Sequence, residues 1–163
     1  AAMISNMKVI DWDEAMNLEC GDEEFLDEVL TDLVAEAQTA QDDIRTSITN
    51  KDFDSALKAA HRIKGSASYL CCNKMKQLSL DMQLAGQEGL NLITAATTAT
   101  AAGETPADTS EAQGAIWVRI TVLFVAYEQS FIELKLVIEQ RKNNSGDGAA
   151  VAATDANNAP TQP

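Results

Sequence analysis

Residues 53–70 read FDSALKAAHRIKGSASYL, and this stretch decides the fold class. Its apolar side chains recur every three or four positions, which places them on one face of an α-helix. They are Phe53, Ala56, Leu57, Ala60, Ile63, Ala67 and Leu70. His61, the only histidine of the chain, lies about 100° from the centre of that face at 100° per residue. The pattern predicts a packed helix that holds a histidine at the boundary between core and solvent.

Two further helices are predicted before this one. Asp11 with Glu14 three positions later has the form of a capping box, so a short helix should cover residues 12–19. From residue 23 to about residue 49 an apolar stripe of helical spacing follows, with acidic residues in the first turns, where the helix dipole favours them. The turn that remains before Phe53 is short, so the helices on either side of it should run antiparallel.

The second half of the chain predicts two more helices and two irregular segments. Asn73 should cap a fourth helix, whereas residues 94–113 are so poor in large apolar groups that they cannot offset the entropy of ordering, which predicts a mobile low-complexity loop. A last helix should run from about residue 114 to 142, and residues 143–163 should form a disordered tail. The predicted fold is all-α: an antiparallel four-helix bundle over residues 9–142, with a short extra N-terminal helix.

Charge and composition disfavour several classes of partner. The chain has 12 Lys plus Arg against 25 Asp plus Glu, a formal net charge of −13. Nucleic-acid binding depends on Lys and Arg that neutralise phosphates, so we expect neither a nucleic-acid partner nor an anionic membrane surface. The apolar run from Val122 to Ala126 is also too short to span a bilayer. Excess acid usually serves solubility, and attraction of a basic protein partner is the other interpretation.

The cysteines indicate a reducing compartment. There are three, an odd number with two adjacent in sequence, which is no disulfide framework. The first residues also lack the charged segment and apolar run of a secretion signal. We therefore expect a cytoplasmic protein, with the nucleus as a second location.

Two residues near His61 suggest chemistry when they are taken with it. Lys64, at i+3, is placed to bring an ammonium group beside a phosphoryl group on the ring. Gly65 lies near the middle of the predicted helix, where glycine lowers helix stability by about 1 kcal/mol relative to alanine. Either it clears space for a protein that approaches the imidazole, or it lets a neighbouring helix pack closely. A surface lysine or a helix histidine alone is more often incidental, so the interpretation rests on the combination of the three residues.

That combination resembles a known family. Residues 61–68 read HRIKGSAS, which is similar to the signature of histidine-containing phosphotransfer (HPt) domains: histidine, any residue, an aliphatic residue, lysine, glycine and small residues. Gln83 follows the histidine by 22 positions, where fungal phosphorelay intermediates carry a glutamine that hydrogen-bonds the histidine. The resemblance extends to residues 11–12 and 129–136, so it covers roughly residues 9–142.

The resemblance implies a phosphoryl carrier. His61 would accept a phosphoryl group from an aspartate of one receiver domain, on a hybrid sensor histidine kinase, and yield it to an aspartate of another, on a response regulator. Lys64 and Gln83 would assist the histidine. The residues that would meet the receiver are Arg62, Gly65, Ser66, Ser68 and Tyr69.

We expect a monomeric carrier that is not an enzyme. No glycine-rich loop precedes a Lys-Ser or Lys-Thr pair, so the sequence predicts no ATP-binding or kinase function. A metal site in the bundle would need several His and Glu side chains, and there is one histidine. We expect neither a cofactor nor a metal on this chain, with Mg²⁺ supplied by the partner receiver domain.

Two departures from the family pattern concern the choice of partner more than the chemistry. Cys71 stands where the family usually has glycine, and Arg62 adds a positive charge directly after the histidine. A second hypothesis therefore stays open: a helical adaptor that is not phosphorylated and binds receiver domains or other proteins. Retention of His61, Lys64, Gly65 and Gln83 together favours the carrier.

Overall fold

The computed structural model describes residue 4, residues 6–19 and residues 21–151, without the side chains of residues 145–151. This part of the chain is helical and contains no strand, so the all-α prediction is confirmed. The helices are α1 (Trp12–Leu18), α2 (Glu23–Asn50), α3 (Phe53–Tyr69), α4 (Asn73–Ala101) and α5 (Ser110–Val151).

Aspartate caps explain where the first three helices begin. Asp11, Asp22 and Asp52 stand at the N-caps of α1, α2 and α3, and each carboxylate accepts a hydrogen bond from the backbone N–H three residues later. The prediction that Asn73 caps α4 is wrong. Cys72 holds that position without a side-chain cap, and Asn73 is the first residue of the helix.

The four long helices enclose one core. α3 packs on α2 and α4, and α5 packs on α4 and α2, so α3 and α5 lie diagonally opposite. Tyr127 of α5 is fully buried, and its hydroxyl donates a hydrogen bond to the Ala37 carbonyl of α2 at 3.0 Å. Burial raises the pKa of the Tyr127 phenol, which keeps the donor protonated. This bond ties the first and last long helices of the bundle together.

α3 and α4 approach closely at two glycines that the sequence analysis did not single out. A Cβ atom at Gly89 would lie 2.5 Å from the Phe53 ring, and one at Gly86 would lie 3.1 Å from the Cβ of Leu57. The Phe53 ring in turn stacks on Trp117 of α5, with ring centroids 4.2 Å apart. These contacts fix the alignment of α3 against α4, and with it the pairing of residues along the site.

The prediction of a loop over residues 94–113 is wrong at both ends. α4 continues to Ala101 and α5 begins at Ser110, so the connection is residues 102–109. Alanine has the highest helix propensity, and a helix that is already nucleated grows without a new nucleus. Threonine hydroxyls here also bond carbonyls one turn back, as Thr97 does to Ile93 at 2.9 Å. Low apolar content therefore did not prevent helix formation.

The predicted tail is also shorter than expected. Residues 143–151 continue α5, so they are helical rather than irregular. Extension of an existing helix again requires no nucleation. Residues 152–163 lie outside the described residues, and the prediction of disorder for them stays a prediction.

α5 is long and apolar enough, by length and composition alone, for its Ser110–Asn144 part to cross a membrane. The prediction against a membrane span rested on only the five residues from Val122 to Ala126, whereas the longer Ser110–Asn144 segment reaches the hydropathy of a membrane span. On its inner face Ile120, Tyr127 and Phe131 are nevertheless buried in the bundle. We accordingly describe α5 as a helix of the bundle.

Candidate functional site

His61 lies near the middle of α3 with its ring exposed, as the helical spacing predicts. Its neighbours Ala60 and Ile63 are fully buried in the core. The backbone beneath the histidine is therefore held by packing, while the imidazole stays accessible to another molecule.

Gln83 of α4 faces the imidazole. The His61 Nδ1 atom and the Gln83 Oε1 atom are 3.3 Å apart. An amide oxygen accepts hydrogen bonds, so the tautomer of the neutral ring that fits this contact has its proton on Nδ1 and donates it to Gln83. The lone pair then lies on Nε2, the nitrogen that is free to act as a nucleophile.

Gly65 lies on the exposed surface one turn after His61. A Cβ atom built there would have no described heavy atom within 4 Å beyond its own helix backbone and chain neighbours. Close packing against a neighbouring helix, one of the two explanations for this glycine, is therefore excluded for the described chain. That role belongs to Gly86 and Gly89. The remaining explanation is that Gly65 leaves open surface beside the imidazole.

The two cations next to His61 are in different states. Arg62 pairs with Asp43 of α2, whereas Lys64, which is partly buried, forms no ion pair with any described residue. Side chains of a helix lean toward its N-terminus, so Lys64 leans back toward His61. Lys64 is thus the cation available to an anion on the ring.

The other predicted partner residues divide between two surfaces. Gly65, Ser66 and Tyr69 line a groove of 360 Å³ between α2 and α3, and the Ser66 hydroxyl donates a hydrogen bond to Glu36 in its wall. Ser68 is exposed two turns after His61, outside that groove. Arg62 lines a separate polar groove nearer the start of α3. The five residues follow His61 along α3 but do not form a single pocket.

Leu84, beside Gln83, is a candidate that the sequence interpretation missed. More than half of its side chain is exposed, so α4 presents apolar surface directly after the residue that contacts the imidazole. The signal was present in the sequence, since Leu84 falls off the inward stripe of α4 that contains Leu78, Met82 and Ala85.

Cys71 explains why glycine is usual at this position. Its backbone φ is +56°, in the left-handed region that glycine adopts without strain. The Cys71 carbonyl accepts a hydrogen bond from the Asp11 N–H at 3.2 Å, which docks the start of α1 against the end of α3.

Burial raises the pKa of the neighbouring Cys72 thiol to about 12, so at neutral pH this thiol is protonated and unreactive.

Comparison with known proteins agrees with the geometry. A family model described as the Hpt domain matches residues 28–109, half of the chain, from α2 to the connection before α5. No curated protein and no solved structure matches the sequence significantly. Hpt domains are phosphocarrier modules of two-component phosphorelays that interact with receiver domains and have no kinase activity. Because the match covers half of the chain and includes both His61 and Gln83, this protein belongs to the Hpt domain family.

Proposed function

We propose that His61 carries the phosphoryl group between an aspartyl phosphate on the receiver domain of a hybrid sensor histidine kinase and an aspartate of a response regulator. The observation that carries the proposal is the contact between His61 Nδ1 and Gln83 Oε1, which assigns the proton to Nδ1 and leaves Nε2 as the unprotonated nitrogen of an exposed ring. The nucleophile is thus prepared before any partner binds.

The transfer balances without an added reactant. The Nε2 lone pair attacks phosphorus, an N–P bond forms, and the O–P bond of the acyl phosphate breaks as the receiver aspartate leaves as a carboxylate. The proton on Nδ1 stays in its hydrogen bond to Gln83, so no proton has to leave the ring during attack. Transfer to the second receiver is the reverse of these steps.

Lys64 supplies charge to this reaction. A phosphoryl group on His61 carries negative charge that the ammonium of Lys64, which has no ion-pair partner among the described residues, offsets. Arg62 is held by Asp43 and has less freedom to do so. We assign Mg²⁺, with most of the remaining catalytic groups, to the receiver domain.

The surface around His61 suits a protein partner. Gly65 leaves the approach to the ring open, while Tyr69 of α3 and Leu84 of α4 add half-exposed apolar area on the two helices that carry the site. Central apolar contacts surrounded by polar groups are typical of protein interfaces. The whole site lies on α3 and α4, so one copy of the chain suffices for the transfer.

The test is transfer from a phosphorylated receiver domain. Wild-type protein should acquire label that is stable in alkali and labile in acid, and His61→Gln should fold normally and acquire none. Circular dichroism and thermal melting serve as the control for folding. Label on His61→Gln would contradict the assignment.

The same experiment distinguishes the adaptor hypothesis. If the wild-type chain binds the receiver but takes up no label, the protein is an adaptor and the carrier proposal fails. Binding measured in parallel on Gly65→Gln, whose bulk stands on the approach to the ring, shows whether the receiver docks at this surface.

We also propose that the exchange takes place in the cytoplasm, with the nucleus as a second location. Cys71 and Cys72 are free thiols of the described chain, which suits a reducing compartment. A fluorescent fusion viewed in cells tests this, and a signal confined to a secretory compartment would contradict it.

A further inference from the structure

The outer face of α5 carries a row of exposed aliphatic side chains. Five of them are 48 to 66% exposed, and with one exposed glutamine they form what we call the outer stripe. Its members are Val118, Val122, Val125, Gln129, Ile132 and Leu136. Their spacing alternates between four and three residues without interruption, the repeat of a coiled-coil seam.

The bundle does not use this stripe. The inner face of α5 fills the core through Ile120, Tyr127 and Phe131, while the outer stripe points away from both packed neighbours. Contiguous apolar surface of this kind on a water-exposed helix usually marks an interaction site. The stripe also lies on the helix diagonal to α3, so a partner seated on it would leave His61 uncovered.

We propose that the outer stripe binds the outer stripe of a second copy of this chain, in antiparallel orientation, to form a two-fold symmetric dimer. This replaces the monomer expected from the sequence. The seam from Val118 to Leu136 is about 27 Å long at 1.5 Å per residue. In the antiparallel register Val118 faces Leu136, Val122 faces Ile132, and Val125 faces Gln129 of the second copy, so every layer contains apolar surface.

Charges beside the stripe favour this orientation over the parallel one. In an antiparallel pair, Arg119 lies beside Glu133 of the second copy, and symmetry repeats the attraction. In a parallel pair, Glu128 would instead lie beside Glu133 of the second copy, and two repulsive contacts would result. Charges at these flanking positions are what set orientation in coiled coils. Charge complementarity thus points to an antiparallel second copy.

The flanking residues keep the capacity for these contacts. Arg119 already pairs with Glu88 and Glu133 with Lys74, but a guanidinium has five N–H donors and a carboxylate about four acceptor positions. In the antiparallel dimer, Glu128 lies near the two-fold axis and approaches Glu128 of the second copy. The Arg45 guanidinium of the same chain is 2.7 Å from the Glu128 carboxylate and offsets its negative charge.

The size of the interface indicates a weak dimer. A standard interface buries roughly 800 Å² on each partner over 20–30 residues. The stripe and the residues that flank it are about half that number. Dissociation is therefore expected at micromolar concentrations, about 1–100 μM.

Sedimentation velocity and light scattering on the full chain from about 1 to 500 μM test the proposal. Wild type should shift from monomer to dimer across this range. Val122→Glu with Ile132→Glu, which places like charges opposite each other, should weaken association by about tenfold or more. Leu18→Glu, at a similarly exposed leucine on α1, is the matched control and should dimerise like wild type.

Cysteine pairs test the orientation. An oxidised mixture of the Val118→Cys and Leu136→Cys proteins should give a mixed disulfide dimer, whereas Val118→Cys alone should give little. Efficient self-linkage of Val118→Cys would overturn the antiparallel arrangement. A wild-type chain that stays monomeric throughout, including one that instead binds lipid vesicles through the stripe, would overturn the proposal. Phosphotransfer to His61 is measured separately and need not change in any of these variants.

Discussion

Replacing Gly65 and Gly89 by alanine should have opposite effects on stability. At Gly65 the new Cβ meets no described atom within 4 Å outside its own helix surroundings, so only helix propensity acts and Gly65→Ala should stabilise by up to about 1 kcal/mol. At Gly89 the same Cβ would lie 2.5 Å from the Phe53 ring. Overpacking of this kind costs roughly 1 to 3 kcal/mol, which outweighs the propensity gain.

Thermal melts on the two variants measure this difference. For a chain of this size 1 kcal/mol moves Tm by about 2–4 °C, so Gly65→Ala should melt a few degrees above wild type and Gly89→Ala clearly below it. Gly65→Gln should stay folded yet lose transfer from a phosphorylated receiver, because its side chain would stand beside the imidazole. If Gly65→Ala were destabilised while its folded fraction still transferred normally, the docking role of Gly65 would be refuted.

Three further variants test the site and its supports. Lys64→Ala should slow phosphotransfer or shorten the lifetime of the phosphohistidine by about three- to tenfold. Lys58→Ala is the control and should do neither, because the Lys58 side chain leans away from His61 and pairs with Asp54. Equal effects of the two variants would show that only net charge matters. Urea unfolding should show Cys71→Gly to be more stable than Cys71→Ala by about 1 kcal/mol, because the backbone φ of residue 71 is positive and glycine adopts it without strain. A more stable alanine variant would show that the backbone of residue 71 is not strained. Hydrogen bonds from Ser55 lower the pKa of the Asp52 carboxyl in the folded protein below its value in the unfolded chain. The ionised carboxylate therefore stabilises α3 fully at pH values above the pKa of the unfolded chain. This stabilisation is lost as the pH falls through the lower pKa of the folded protein. Asp52→Ala should therefore lower the free energy of unfolding by about 1 kcal/mol at pH 7 and by less below about pH 4. Asp52→Asn is the control, because its side chain still caps α3. A difference in stability between wild type and Asp52→Ala that does not change with pH would contradict the argument.

Local signals predicted the first half of the chain well. The capping pattern of Asp11 predicted the start of α1, and the apolar spacing predicted α2 from residue 23 and a helix beginning near Phe53, which is where these helices begin. His61 appeared on the shoulder of α3 because the position of a residue around a helix follows from spacing alone. The prediction failed at residues 94–101, where alanine propensity and growth from a packed helix outweighed the lack of large apolar side chains.

Features that depend on how two helices meet could not be read from one sequence. Gly65 and Gly89 look alike as mid-helix glycines, yet one lies on open surface and the other under an aromatic ring. Only the alignment of α3 against α4 separates them. The contact between His61 and Gln83 depends on that same alignment, and the resemblance to the family, rather than spacing within one helix, suggested it.

The connection between α4 and α5 makes the domain tolerant of added chain. Gln83 is level with His61, and the end of α4 at Ala101 lies about 27 Å farther along the helix at 1.5 Å per residue. Extra residues in a surface connection cost little closure entropy. A fluorescent protein or an affinity tag inserted within residues 102–109 would therefore be held far from the imidazole, which makes this connection a natural attachment point for a sensor that follows the phosphorylation of His61.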